Sequence, residues 1–231
     1  MSAPDRAPER ASEHADDPAD RAAPDPQLVL VRHGETEWSA TRRHTGRSDI
    51  PLTVAGEQQA VAAGVWLQRW ADERGRRPAV VLSSPRQRAR RTAELAGFPD
   101  APTDDDLVEW DYGPVEGRTS REISSELGRE WLVFRDGVNV LAAPDGHRGE
   151  ELDDVAARCA RVLARVEPTL RDGQDAVVFA HGHLLRVLTT VWLGVDPGLG
   201  ARLELSTATI CLLGYGHGLR TIEGWNLTAT G

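Results

Sequence analysis

Three short apolar runs, each ending in residues that a hydrophobic core does not call for, constrain this chain more than any other feature. QLVLV runs into Arg32 and His33, PAVVL at 78 to 82 runs into Ser83 through Arg88, and DAVVFA at 175 to 180 stops at His181. Runs of this length, apolar on both alternating faces, are the pattern of strands buried in a parallel sheet. Helical stretches separate them. Thr53 is placed to cap a helix carrying Val54, Val61, Val65 and Trp66, SSPRQRARRTAELAG follows the second run, and Leu152, Val155, Cys159, Val162 and Val166 form a stripe over 150 to 171. HLLRVLTTVWLG makes one more helix, and ATICLLGY with GLRTIEGWNL reads as a hairpin around a glycine turn. The pattern predicts a three-layer α/β/α sandwich around a mostly parallel central sheet.

The first 26 residues are of a different kind, with five prolines, seven acids and three arginines and, beyond these prolines, no apolar side chain larger than alanine except Met1. Their composition predicts a disordered acidic Pro-rich tail over 1–26, leaving one domain over 27–231. The chain of 231 residues carries a net charge of -9, which disfavours nucleic acid as a partner. It has no lysine, so side-chain Schiff-base chemistry and lysine-dependent phosphate loops are excluded. Two cysteines, and the lack of a signal-like or membrane-length apolar run, lead to the expectation of a cytoplasmic protein with no membrane partner.

In an open α/β sheet, ligands bind where strands end and helices begin. Arginine offers a planar fork of donors to phosphate, and histidine can act as nucleophile or acid-base group. Together Arg32, His33, Arg88 and His181 point to phosphoryl chemistry. The histidines of HGH at 181 to 183 have no Asp or Cys nearby to complete a zinc pattern, and neither glycine-rich stretch late in the chain is a dinucleotide fingerprint. No metal and no cofactor are expected.

Five blocks then appear in order: LVRHGETEW at 30 to 38, RHTGRSDIPLTVAGEQQA at 43 to 60, SSPRQRARRTAELAG at 83 to 97, LVEWDYGPVEG at 107 to 117 and VVFAHGHLLR at 177 to 186. In these blocks the chain resembles the histidine phosphatase superfamily, which has a phosphoglycerate mutase-like fold. The resemblance implies that His33 is the nucleophile that becomes phosphohistidine, that Glu109 is the proton donor, and that His181 is the second catalytic histidine. It implies phosphate binding by Arg32, Arg43 and Arg88. His183 stands where mutases usually carry Asn, Ser39 where Asn is frequent and Thr45 where Gln is frequent. His183 is taken as a further phosphate or substrate contact, Glu116 as a weaker competitor of Glu109, and Arg86, Arg90 and Arg91 as solvated helix charges. Trp110, Tyr112, Trp131 and Phe134 are candidates for the organic side of the pocket.

The EWRRSYD-like motif of the mutases is missing between Glu109 and His181, which favours release of phosphate to water. The expected activity is metal-independent hydrolysis of a small-molecule phosphomonoester, with a sugar phosphate favoured. Phosphoglycerate mutase-type transfer and an inactive phosphate-ligand-binding protein are the alternatives, and a homodimer is left open.

Overall fold

The structure, a computed structural model, describes residues 25–143 and 145–229; the acidic tail expected over 1–26 lies almost wholly outside the described residues. The three apolar runs become β1 (Leu28–Arg32), β2 (Val80–Ser83) and β3 (Ala176–Ala180), and the hairpin supplies β4 (Ile210–Gly216) and β5 (Leu219–Leu227). The sheet order is β2-β3-β1-β4-β5. β2, β3 and β1 are mutually parallel, while β4 is antiparallel to both β1 and β5. Four strands thus point one way and β4 alone opposes them, as the mostly parallel expectation requires. Between β4 and β5, His217 and Gly218 both take positive φ, 53° and 79°, the geometry that turns a two-residue hairpin with the strands' own twist.

Successive side chains of a buried strand face opposite ways, so each central strand feeds two cores. Leu28 and Leu30 of β1 pack with Val155, Val162 and Val166 of α6 (Leu152–Arg171) and Leu184, Leu185 and Leu188 of α7 (Gly182–Leu193). Val29 and Val31 pack with Ala63, Leu67 and Trp70 of α2 (Val54–Arg74) and Ala93 of α3 (Gln87–Leu95). These two cores make the three layers. Thr53 caps α2 through its hydroxyl, which accepts from the Gly56 N–H. The short helices α1 (Glu37–Ala40), α4 (Ser120–Leu127) and α5 (Val133–Asp136) lie in the connections that follow β1 and the second strand-helix unit.

One close approach fixes how the first loop leaves the sheet. A Cβ on Gly34 would sit 2.3 Å from the Gly56 carbonyl oxygen, and one on Gly56 would sit 2.1 Å from that of Glu35. Only two glycines let the turn after His33 lie directly on the start of α2. Among the described residues no helix is long and apolar enough to cross a membrane.

Candidate active site

His33 follows β1, Ser84 follows β2 and His181 follows β3, so three adjacent parallel strands deliver three polar side chains to one edge of the sheet. The backbone ties them together: the His33 N–H donates to the Ala180 carbonyl and the Ser84 N–H to the Phe179 carbonyl. The His33 and His181 ring centroids are 5.2 Å apart.

Each imidazole is fixed in one tautomer by a partner with a single role. The His33 Nδ1 lies 2.7 Å from the Gly34 carbonyl, which can only accept, so Nδ1 carries the proton and Nε2 keeps a free lone pair. Burial, reinforced by the Arg88 and Arg32 cations, holds the His33 pKa well below its usual value, so the ring is neutral at pH 7. His181 has the opposite arrangement. Its Nδ1 accepts from Arg88 Nε at 3.1 Å, and its Nε2 donates to Ser84 Oγ at 2.7 Å. Burial and then Arg88 also push the His181 pKa well down.

Arg88 is wholly buried. Besides His181 it donates to the carbonyls of Ser48, Thr45 and Gly46. That loop is held from its other side by Glu116, whose carboxylate accepts from the N–H groups of Gly46 and Ser48. Glu116 is therefore a loop support. The resemblance makes Arg88 a phosphate ligand; in the structure its Nε, Nη1 and Nη2 each donate to His181 or to loop carbonyls, and neither it nor His181 is among the residues that line the neighbouring cavity.

That cavity, about 670 Å³, is lined by Arg32, His33, Arg43, Glu109 and His183 among the residues singled out from the sequence. Arg32 donates through Nη1 to the Leu205 carbonyl, yet its Nε is buried with no hydrogen-bond partner among the described residues. A buried guanidinium N–H without an acceptor, on the residue that precedes His33, is an unfilled demand for an oxyanion. Arg43 is exposed and donates to the Gly117 carbonyl. His183 is hydrogen-bonded through Nδ1 to the Tyr112 hydroxyl, and burial followed by Arg186 lowers its pKa well below the ordinary value.

Glu109 is buried, at 7% exposure. Its Oε1 accepts from the N–H groups of Trp110 and Leu184, and its Oε2 from that of His183. A carboxylate offers about four lone-pair sites, so three are filled and the open one is on Oε2. A proton exchanged with a ligand in the cavity has that single place to reside.

Several expectations need correcting. Of the four aromatic candidates for the pocket wall, only Tyr112 lines the cavity. Trp110 and Trp131 are core residues with at most 1% exposure, and Phe134 packs edge-on to Trp110 beneath Arg186. Apolar area drew them into the core, which outcompetes a wet cavity for large rings. Arg91 is a helix charge ion-paired with Glu57 and Glu94, but Arg86 is half-buried and its Nε is buried without a partner among the described residues. Sequence reasoning also missed Arg42, His44, Arg186, Glu204, Ser206 and Thr207, all of which line the cavity. Arg186 had a readable signal, since it follows His183 by three positions on one helix face. The segment 204 to 207 had none. Among the described residues no three His, Cys, Asp or Glu side chains are grouped so as to hold a metal ion.

Residues 28–228 match the family described as the histidine phosphatase superfamily (branch 1). The chain is 36% identical over 202 residues to an acid phosphatase of Mycobacterium tuberculosis, covering 87% of this chain and 93% of that one. It is 35% identical over 195 residues to the sedoheptulose 1,7-bisphosphatase of Saccharomyces cerevisiae, covering 74% and 68%. To a probable phosphoglycerate mutase of Citrobacter koseri it is 34% identical over 211 residues, covering 89% and 92%. A solved structure from an open reading frame of Mycobacterium tuberculosis superposes with a TM-score of 0.78 at 34% identity, covering 89% of this chain and 100% of that one.

Proposed function

Because the chain belongs to the histidine phosphatase superfamily, branch 1, we propose that it hydrolyses a small sugar phosphate in two in-line steps through a phosphohistidine at His33, without a metal. The observation that carries this reading is that one cavity is lined both by His33, whose neutral ring keeps Nε2 free, and by Arg32, whose buried Nε has no partner among the described residues.

In the first step the His33 lone pair attacks phosphorus, the N–P bond forms and the P–O bond to the sugar breaks. Glu109 supplies a proton from Oε2 to the departing oxygen. Arg32 neutralises charge on the equatorial oxygens, and proton-bearing Nδ1 holds the ring against Gly34 as Nε2 becomes bonded. In the second step water attacks phosphorus, Glu109 takes its proton, the N–P bond breaks and inorganic phosphate leaves. His181 acts with Arg88 and Ser84 as the rigid floor beneath His33. The hydroxyls of Ser39, Ser206 and Thr207 and the carboxylate of Glu204 line the same cavity, and suit a polyol as the organic part of the substrate.

Similarity to a probable phosphoglycerate mutase keeps a second reading, transfer of the phosphoryl group back to a phosphoglycerate. Incubation with a panel of sugar phosphates and with 3-phosphoglycerate, with and without 2,3-bisphosphoglycerate, separates them. Phosphate release from the sugar phosphates is expected; isomer exchange without phosphate release would make the protein a mutase, and no turnover would leave it a phosphate-ligand binder.

A further inference from the structure

The cavity is charged out of proportion to a single phosphoryl group. Four arginines line it, Arg32, Arg42, Arg43 and Arg186, against two acids, Glu109 and Glu204. Their exposures arrange them by depth: His33 and Glu109 are buried, Arg32 and Arg186 half-buried, and Arg42 and Arg43 exposed. Arg186 is already engaged, since its Nε donates to the Gly200 carbonyl and its guanidinium lies 4.8 Å over the Phe134 ring. Arg43 is tethered to the Gly117 carbonyl. The Arg42 side chain makes no hydrogen bond or ion pair among the described residues; other exposed arginines such as Arg90 and Arg121 are likewise unpaired there, but they do not line this cavity, whereas Arg42 does.

Arg42 also sits in a backbone conformation that does not suit it. Its φ is 58°, in the left-handed region that glycine and asparagine enter readily and a long side chain does not. The position closes α1: the Arg42 N–H donates to the Ser39 carbonyl and the Arg43 N–H to that of Trp38. Nothing in this local turn needs an arginine side chain, and glycine would fill it with less strain. The unsuited residue nevertheless carries a free cation on the lip of the cavity that holds His33.

We propose that Arg42, with Arg43 beside it, forms a second anion subsite, so that the preferred substrates carry a phosphate or carboxylate in addition to the phosphoryl group aimed at His33. The inference rests on the phosphatase reading and narrows its substrate class to doubly anionic polyol phosphates. The hydroxyl-bearing Ser39, Ser206 and Thr207 line the same cavity and suit the hydroxyl groups of a chain joining the two anions. A cavity of about 670 Å³ is within the range that encloses a whole small ligand, and exceeds what one phosphoryl group needs.

The test compares matched substrates in the full-length protein: fructose 6-phosphate with fructose 1,6-bisphosphate, and glycerol 3-phosphate with 3-phosphoglycerate. The ratio of kcat/KM, two anions over one, is expected to exceed roughly fivefold in the wild type and to fall by about that factor in Arg42→Gly, chiefly through KM. Arg42→Lys, which keeps the charge, should retain most of the ratio, and Arg90→Ala, on a helix face outside this cavity, should leave it as in the wild type. Glycine relieves the positive φ, so Arg42→Gly folds at least as well, and its thermal midpoint checks that. A gain with both pairs makes the second group either anion; a gain with the bisphosphate alone makes it phosphate. A wild-type ratio near one, or a ratio unchanged in Arg42→Gly, overturns the subsite. Should none of the four compounds be turned over, the phosphatase reading falls, and calorimetric binding of the same four compounds to wild type and Arg42→Gly still decides the subsite by the same ratio.

Discussion

The floor of the site and its lip are built on opposite principles. On the floor, Arg88, His181 and Ser84 are buried and their hydrogen bonds run into one another and into the backbone. On the lip, Arg42, Arg43, Ser206 and Thr207 face solvent or are half-covered, with few bonds to the protein. A saturated, buried network fixes atoms before the substrate arrives, which is what a transfer step needs. A loosely bonded, charged rim can instead take different organic groups, and changes there act on which molecule is chosen.

The contrast sets the size of each mutational effect. Arg88→Ala strands the carbonyls of Thr45, Gly46 and Ser48 and the His181 Nδ1, and is expected to lower kcat/KM by about 10²-fold and unfolding free energy by roughly 2 to 4 kcal/mol. Arg88→Lys should not rescue it, because an ammonium cannot reproduce the planar fork. Steady-state kinetics and urea titration measure both. A loss confined to KM, with stability intact, would place Arg88 with the lip.

Glu109→Gln addresses the junction between the two regions. The amide cannot carry the transferred proton and its NH₂ faces backbone donors, so kcat should fall about 10²-fold. A leaving group that departs readily without a proton, such as p-nitrophenol, should recover most of the first-step rate; equal losses on both substrates would remove Glu109 as the proton donor. On the lip, Arg43→Ala is expected to raise KM a few-fold and to change stability by less than about 1 kcal/mol.

Acidification acts on the folded state as a whole, through the buried histidines of both regions. His33, His181 and His183 have pKa values well below the ordinary 6.5, chiefly through burial, and burial lowers that of His44 to about 4. Below about pH 6.5 the unfolded chain binds protons that these folded histidines refuse, so stability is full above that pH and declines as the pH falls toward the folded values. Thermal midpoints between pH 7.5 and 5.5 should drop on acidification, and a flat profile would contradict neutral buried imidazoles.

Much of this was legible in the sequence because it is local. The apolar runs before Arg32, Ser83 and His181 specified β1, β2 and β3, and Thr53 marked the start of α2. Arg32, His33 and His181 meet at one end of the sheet, since the ends of neighbouring parallel strands must meet, while Arg43 and Glu109 reach the cavity from connections between elements. Depth in the site was not legible. Whether Arg88 faces a ligand or three carbonyls depends on where the loop 45 to 48 returns, and Glu116, 70 residues away from Gly46 along the chain, holds it there. The large aromatics were misplaced for the same reason, because a ring beside the catalytic blocks can turn to either side of a helix layer. Arg42 carries no sequence signal at all, since its positive φ is set by how α1 closes.

The central claim is a covalent intermediate on His33, and trapping tests it most directly. The enzyme is mixed with a turned-over phosphate ester, quenched within milliseconds under alkaline conditions, and its peptides are mapped by mass spectrometry. A phosphoryl group on the peptide containing Arg32 and His33, absent in His33→Ala, is the expected result. Steady turnover with no phosphorylated peptide at any quench time, or with His33→Ala retaining wild-type turnover, would contradict it.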